Sequence, residues 1–559
     1  MANQIENLSP FVSVSDENGV ILGPEFNLLS MEVTKEYNRI SSAELRYEEG
    51  KIASNEYLLL EKGFFNLGRK INISASDENG NGIKLFSGIV INNLLELNRI
   101  GPVLTIELQG EAIKMTTNRY NAVYINKSDS DIISQLLKKH NLSPDKSASN
   151  AKTSVKHDQM VQYYATDWDF IVSRAEANAL VVNADFGKVS VIKPQIKSNP
   201  DLTLRLGIST IYDFDLKADT ADQYGSVNAV GWDTSSQDFS RPQNGKKGLL
   251  GKNNIDVNSF TTVLDAKETT LVSPIPAEPA ELRAWSESKV MKSNLSMIRG
   301  WIKIHGHVGV QVGDTLELIH VSNQFTGKNI ITGIKHEIST SGWLTHLQLG
   351  MSSCWFTAKH QVADTPAAGL LPAVNGLQTG IIKSFEQQTN GTFKVKVFIP
   401  AFGFGQSTIW ARLASIDAGE NHGAYFIPEV GDEVIVGFIN DDPRHAVILG
   451  SMHHNANKFP KDYQLNNGAK GIFTGLGLQM HFNEKEQQIR VATSDKQELV
   501  IDEKQKSISM KDSKGNQLLL NSNGISIESA SDLKISSKGN LDIQANGRLT
   551  IKGQSVDLM

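Results

Sequence analysis

The last 36 residues, Gly524 to Met559, read GISIESASDLKISSKGNLDIQANGRLTIKGQSVDLM. Apolar pairs recur in them at a fixed step. Ile525/Ile527 is followed by Leu533/Ile535, Leu541/Ile543 and Leu549/Ile551, eight residues apart each time, and Gly539 and Gly547 keep the same step. A final pair, Val556/Leu558, comes one residue early. Looser copies lie upstream at Ile508/Met510 and Leu518/Leu520. Each repeat reads as a short strand with alternate side chains on one face, then a polar turn. Eight residues are too few for one chain to coil round and enclose its own stripe, because a solenoid turn needs around twenty or more. Other copies of the chain must therefore bury it. Three chains wound together would place six aliphatic side chains in each layer. At roughly 1.5–3 kcal/mol per buried aliphatic, a layer offers on the order of 10 kcal/mol before entropy. The alternative is an ordinary antiparallel meander whose spacing coincides with this period.

Upstream of the repeats, residues 377–452 hold six candidate strands: LQTGIIKSF, TFKVKVFIP, STIWARLA, GAYFIP, DEVIVGFI and HAVILG. That is the size of a small closed barrel such as an OB-fold. Residues 360–376, HQVADTPAAGLLPAVNG, are rich in Ala, Pro and Gly and read as a linker. The first 120 residues read as strands punctuated by Gly and Asn. Three helices follow from cap and periodicity signals. Ser128 or Ser130 caps one carrying Ile132, Ile133, Leu136 and Leu137; Thr166 caps one carrying Trp168, Phe170, Ile171 and Ala175; Pro279 starts a third.

Composition narrows the class. The 559 residues carry a net charge of −6, which favours neither nucleic acid nor an anionic membrane as a broad partner. The single cysteine, Cys354, excludes an intrachain disulfide and fits folding in a reducing compartment. The N-terminus MANQIENLSP has neither the basic nor the apolar region of a signal peptide, and no apolar run reaches the length of a membrane span. The expectation is synthesis in the cytoplasm, with any export left to a route other than general secretion.

Several clusters imitate active sites. Asp441, Asp442, His445, His453 and His454 lie within INDDPRHAVILGSMHHN. Asn440 to Pro443 are favoured turn residues, however, and a five-residue strand of about 17 Å separates His445 from His453 and His454. Convergence on one metal at about 2 Å is therefore not expected. His305 and His307 share a strand face but have no evident third ligand. Glu429, Asp432 and Glu433 sit at a Gly turn, and Cys354 has no partner-histidine pattern and reads as a packed thiol. No nucleophile elbow or phosphate-binding loop is present in the sequence. The chain is expected to be no enzyme, with no catalytic residue, metal or cofactor.

The segment GAYFIPEVGDEVIVGFINDDPRHAVILGSMHHNANKFP resembles the OB-fold of VgrG spike proteins. The resemblance rests on Phe426, Pro428, Gly431, Asp432, Glu433, Val434, Asp442, Pro443, Gly450, Ser451, Asn455 and Pro460. QYYATDWDFIVSRAEANAL (162–180) and ELRAWSESKVMKSNLSMIRGWIKIHG (281–306) resemble the hub of the same family and of phage baseplate hub proteins. The octad tail is similar to the family's needle. Where the family often has proline this chain has His445, which speaks against a ligand role there. The stretch from 456 to about 470 leaves no room for the lysozyme domain of some phage spikes, and no histidine follows His481.

The resemblance implies a mainly β protein with minor α: a hub of two barrel-like subdomains with helical insertions at 1–370, an OB-fold barrel at 371–460 and an intertwined trimeric β-helix at 461–559. It implies a homotrimeric spike of a contractile injection machine, whether type VI secretion, extracellular particle or phage tail. Expected partners are a hexameric inner-tube protein, baseplate proteins, a PAAR-type tip protein against Val556, Leu558 and Met559, and cargo effectors. Contact with the target membrane would be transient, and no nucleic acid is expected. The core of the trimer would be Ile525, Ile527, Leu533, Ile535, Leu541, Ile543, Leu549 and Ile551, and Pro428, Gly431, Asp442 and Pro443 would shape the barrel turns. Two rivals are a hydrolase on a β-solenoid scaffold, for which no site is evident, and a trimeric adhesin or tail fibre that binds glycans. The tail after Phe482 lacks the aromatic residues an adhesin would display.

Overall fold

A computed structural model describes residues 12–50, 57–76, 82–97, 99, 101–143, 151–246, 255–387, 393–403, 408–456, 458–460 and 468–557. The chain is mainly β with few helices. It divides into two compact units, Met1–Asp364 and Thr365–Met559, and the division falls inside the stretch read as a linker.

In the first unit, alternating sequences such as KINISAS at Lys70–Ser76 put Ile71, Ile73 and Ala75 inward and the polar residues outward. A twelve-stranded sheet results. Its main path runs Val12–Asp16, Lys70–Ser76, Gly82–Leu97, Pro102–Gln109, Ser42–Glu48, Leu28–Glu36, Gly327–Ser339, Gly342–Leu349, Ile298–His305 and Ile211–Ala218. Leu28–Glu36 and Gly327–Ser339 join antiparallel in the middle of that path, from Gly333 opposite Glu36 to Ser339 opposite Ser30. A core lies on each side of the joint. One is built round Leu45, Ile73, Phe86 and Ile106, the other round Ile302, Leu316, Ile334 and Leu347.

A helical insertion carries a third core. Asp129–Lys139 is capped by Ser128, whose hydroxyl accepts the Asp131 amide while the Asp131 side chain accepts the Ser128 amide. This capping box resolves the choice between Ser128 and Ser130. Thr166 caps Asp167–Ala177 by accepting the Asp169 amide, and Pro279 opens the 19-residue helix Pro279–Met297. Ile132, Leu136, Trp168 and Ile171 pack together between the first two helices.

In the second unit, five strands close a barrel: Gln378–Gln387, Phe393–Phe398, Thr408–Leu413, Ala446–Ser451 and Glu433–Phe438, in that order. Ile382, Val395, Val397, Val434, Val436 and Ile448 fill it, all fully buried. Six strands were expected. GAYFIP is not one of them: Tyr425, Phe426 and Ile427 lie exposed in a loop, and Pro428 is buried. The turn that follows needs its glycine. Gly431 has φ +99° and donates to the Ile382 carbonyl at 3.0 Å.

Beyond the barrel, seven strands between Ala469 and Glu528 form an antiparallel meander in which each strand pairs with the next. Residues 529–557 belong to no strand. The upstream copies Ile508/Met510 and Leu518/Leu520, and the first regular pair Ile525/Ile527, are therefore meander residues in this chain. The reason lies in strand length. The meander uses five-residue strands, whereas an octad allots only three residues to its apolar–polar–apolar element, too few to hold a hairpin alone.

Candidate assembly surface

The meander register aligns apolar residues into two rows. Ile472, Met480, Val491, Leu499, Met510, Leu518 and Ile527 stand side by side across the seven strands. Phe482, Ile489, Ile501, Ile508, Leu520 and Ile525 form the second row, with Lys470 at its start. Residues two apart on a strand share a face, so the two rows share one. The central row of the opposite face is Gly471, His481, Arg490, Val500, Ser509, Leu519 and Ser526, largely polar. At about 4.8 Å per strand the apolar face runs for roughly 29 Å.

Among the described residues nothing covers this face. Ile472, Val491, Met510 and Ile527 are all exposed. A continuous apolar strip with a polar opposite face is the surface pattern associated with interaction sites. The octads continue its chemistry. Leu533, Ile535, Leu541, Ile543, Leu549 and Ile551 are 54–62% exposed. No strand pairing is present among residues 529–557, so this backbone has no ladder partner within the chain, and its hydrogen bonds are local ones such as the Gly539 amide to the Ser537 hydroxyl. Val556 is 48% exposed, while Leu558 and Met559 lie outside the described residues.

The octad reading reaches Ile508/Met510 and Leu518/Leu520 as loose copies but does not reveal the pairs above them. Met480/Phe482, Ile489/Val491, Leu499/Ile501, Ile508/Met510 and Leu518/Leu520 are nine or ten residues apart, because the hairpin loops alternate between four and five residues. The apolar–x–apolar triplets themselves are the signal that finds them.

The residues that imitate chemistry are dispersed or tied into turns. Asp442 is buried, and its carboxylate accepts the Arg444 backbone amide at 2.9 Å and the guanidinium at 3.0 and 2.7 Å. The Arg444 bonds hold its carboxyl down at about 2. Pro443 is half-buried beside it, and the Ile439 amide bonds the His445 carbonyl, closing the turn. His454 approaches Glu433 at 3.9 Å, and the His453 ring packs on Phe459. Asp432 accepts the Glu429 amide at 2.9 Å, a turn contact. His305 faces the Tyr212 hydroxyl at 3.4 Å, whereas His307 Nδ1 accepts the Gly309 amide. Among the described residues no group of three His, Cys, Asp or Glu is placed to hold a metal ion. Cys354, read as a packed thiol, is exposed: Ser353 and Phe356 take the inward positions of that turn.

Two buried charges of the helical region are paired. Asp129 accepts bonds from Arg174, Asn178 and His157. Burial alone would raise its carboxyl, and these bonds, Arg174 first, hold it below the ordinary range. Lys292 meets Glu176 at 2.6 Å, and burial lowers the ammonium despite that partner. Such pairs fix the helices against one another.

Comparison with known proteins bears on the first unit and on the barrel. Residues 12–340 match the family described as Alg8 N-terminal domain, and residues 378–453 match the type VI secretion system/phage-baseplate injector OB domain. A type VI secretion system spike protein, VgrG5 of Pseudomonas aeruginosa, is 33% identical over 110 residues, 18% of this chain and 14% of that protein. VgrG3 of Vibrio cholerae is 39% identical over 71 residues, 12% of this chain and 7% of that protein. The matched stretches thus span less than a fifth of these curated relatives. Among solved structures, a tail protein from Neisseria meningitidis is similar at 15% identity and TM-score 0.45, covering 63% of this chain and 99% of that one. The Francisella PdpA–VgrG complex is similar at 14% identity and TM-score 0.38, covering 93% of this chain and 87% of that one.

Proposed function

This chain belongs to the Alg8 N-terminal domain family and, by its injector OB domain, to the VgrG-type and phage-baseplate spike proteins, and from that premise we propose that it is the homotrimeric spike of a contractile injection machine. The observation that carries the proposal is the uncovered apolar strip of the second unit. It begins in the meander and continues, with the same two-residue width, through the octads.

Three chains related by a threefold axis would turn their strips inward. In the meander each chain would supply one flat wall of a prism, already laddered within itself. From Leu533 onward each chain lacks internal ladder partners, so the strands would pair between chains and wind into a β-helix. Every octad layer would then bury six aliphatic side chains, on the order of 10 kcal/mol before entropy. This reading explains why unlike backbone arrangements share one apolar pattern: a single axis demands the same inward width throughout.

The work is mechanical. A rod closed by backbone ladders and a dry core transmits force along its axis. The hub, to about residue 370, would hold baseplate proteins and abut a hexameric inner tube. Its sheet has two cores per chain, and three chains would present six similar elements to the tube's sixfold ring. The barrel would narrow the assembly toward the needle, and a PAAR-type protein would cap the last layer at Val556, Leu558 and Met559. Cargo effectors would travel on the spike, and contraction would carry the particle out of the cytoplasm and through a target membrane. Catalysis has no part in this mechanism.

Light scattering after size exclusion tests the proposal. A mass near 184 kDa, three times 61.3 kDa, is expected at micromolar concentration. A 61 kDa species under the same conditions would overturn it.

A further inference from the structure

The outer face of the barrel carries a second feature that the spike reading does not use. On Phe393–Phe398, Lys394 and Lys396 alternate with the inward Val395 and Val397. On the neighbouring Thr408–Leu413, Trp410 stands opposite Lys396, and the register places Arg412 opposite Lys394. Lys396 Nζ lies 5.3 Å from the Trp410 ring centre. Lys394, Trp410 and Arg412 line a groove of about 600 Å³ that extends to Pro443, Arg444 and His445. Among the described residues no acidic group pairs with Lys394, Lys396 or Arg412. Glu386 stands across from Lys394 on the adjoining strand without forming an ion pair, and at the far end, where Asp441 and Asp442 adjoin, Asp442 is committed to Arg444. On a chain of net charge −6, this is a local concentration of unpaired cations.

We propose that this groove binds an anionic oligosaccharide, a short sugar chain bearing carboxylate or phosphate groups. Its volume lies within the range of small-ligand sites. The exposed sheet face of an OB barrel is a surface on which such folds bind oligonucleotides and oligosaccharides. Nucleic acid is disfavoured because stacking of successive bases needs bare aromatic faces. Here Trp410 is engaged by Lys396, and its diagonal neighbour Phe398 by Lys383 at 5.6 Å. An extended acidic peptide is disfavoured because the barrel is closed and offers no free strand edge for backbone pairing. What remains is a ligand held by charge-assisted hydrogen bonds to side chains, with Lys394 and Arg412 lining the groove from adjacent strands.

Isothermal titration of the full chain in low salt tests this with five probes: tetragalacturonate, a phosphomannose tetrasaccharide, neutral maltotetraose, a ten-nucleotide oligothymidine and deca-glutamate. Saturable binding of one or both anionic saccharides is expected, and which of the two binds identifies the anionic group. Affinity should fall tenfold or more in the double variant Lys394→Gln/Arg412→Gln, and it should weaken with added salt. The double variant should keep the wild-type melting temperature, and Trp410→Phe should retain most of the binding. No saturable binding to either anionic saccharide, equal affinity for maltotetraose, tighter binding of the oligothymidine or the glutamate peptide, or unchanged affinity in a folded double variant would each overturn the proposal.

Discussion

The barrel and the tail spend the same aliphatic residues in opposite ways. Ile382, Val395, Val397 and Ile448 are sealed inside a closed ring of strands by their own chain. Ile535, Leu541, Ile543 and Leu549 belong to the same unit and have the same chemistry, yet stand more than half exposed. The difference follows from geometry. A barrel strand of six residues feeds a ring in which every strand has a partner on both sides. A three-residue octad strand cannot reach its own next copy. The barrel is complete within one chain, and the proposed assembly is what would complete the tail.

That contrast can be broken most sharply at Ile535. Ile535→Asp would set three carboxylates on one axis inside the proposed core. Burying unpaired charge is costly enough to expect loss of the trimer at micromolar concentration. A variant that sediments as the wild type would separate Ile535 from any core. Ile382→Ala should behave differently. It leaves a cavity in a core that one chain builds, so it should cost about 2–5 kcal/mol, and the loss should not depend on protein concentration. Destabilisation of the needle should depend on concentration, because association contributes to its stability. Urea unfolding across a hundredfold range of concentration distinguishes the two.

The hub offers a smaller effect of the monomeric kind. His336 is buried against Trp343 and bonds Thr345 Oγ1 at 3.2 Å. Burial first, then the positive charge of Lys35, pushes its imidazole from an ordinary 6.5 down to about 3. The folded chain therefore keeps His336 neutral while the unfolded chain protonates below 6.5. This contribution to stability is complete above pH 6.5 and is lost as pH falls toward 3. Between pH 7 and pH 5 the hub should lose about 2 kcal/mol, and His336→Gln should remove most of that dependence in urea melts at the two pH values. An equal loss in wild type and variant would assign the acid sensitivity to other groups.

Local chemistry was legible in the sequence wherever the signal was local. The caps Ser128 and Thr166, Pro279 at a helix start, the turn at Gly431 and the octad step all announce themselves within a few residues. The pairing of Leu28–Glu36 with Gly327–Ser339 does not, because it joins distant parts of the chain and leaves no short-range mark. Tyr425, Phe426 and Ile427 read as a strand by composition, but the five other strands already complete the ring. The upper rows of the apolar strip escape an eight-residue period because their loops are of unequal length. Cys354 reads as buried by residue type, whereas Phe356 claims the interior there. The Lys394–Trp410–Arg412 groove arises only when the register sets two strands side by side.

The backbone from Leu533 to Ile551 has no strand partner within one chain, and we propose that it is laddered between chains. Amide hydrogen exchange on the intact assembled protein measures this directly. Slow exchange across Leu533–Ile551, comparable to that of the barrel strand Phe393–Phe398, is the predicted result. Exchange at the rate of free peptide in an assembly that still sediments as a trimer would contradict it.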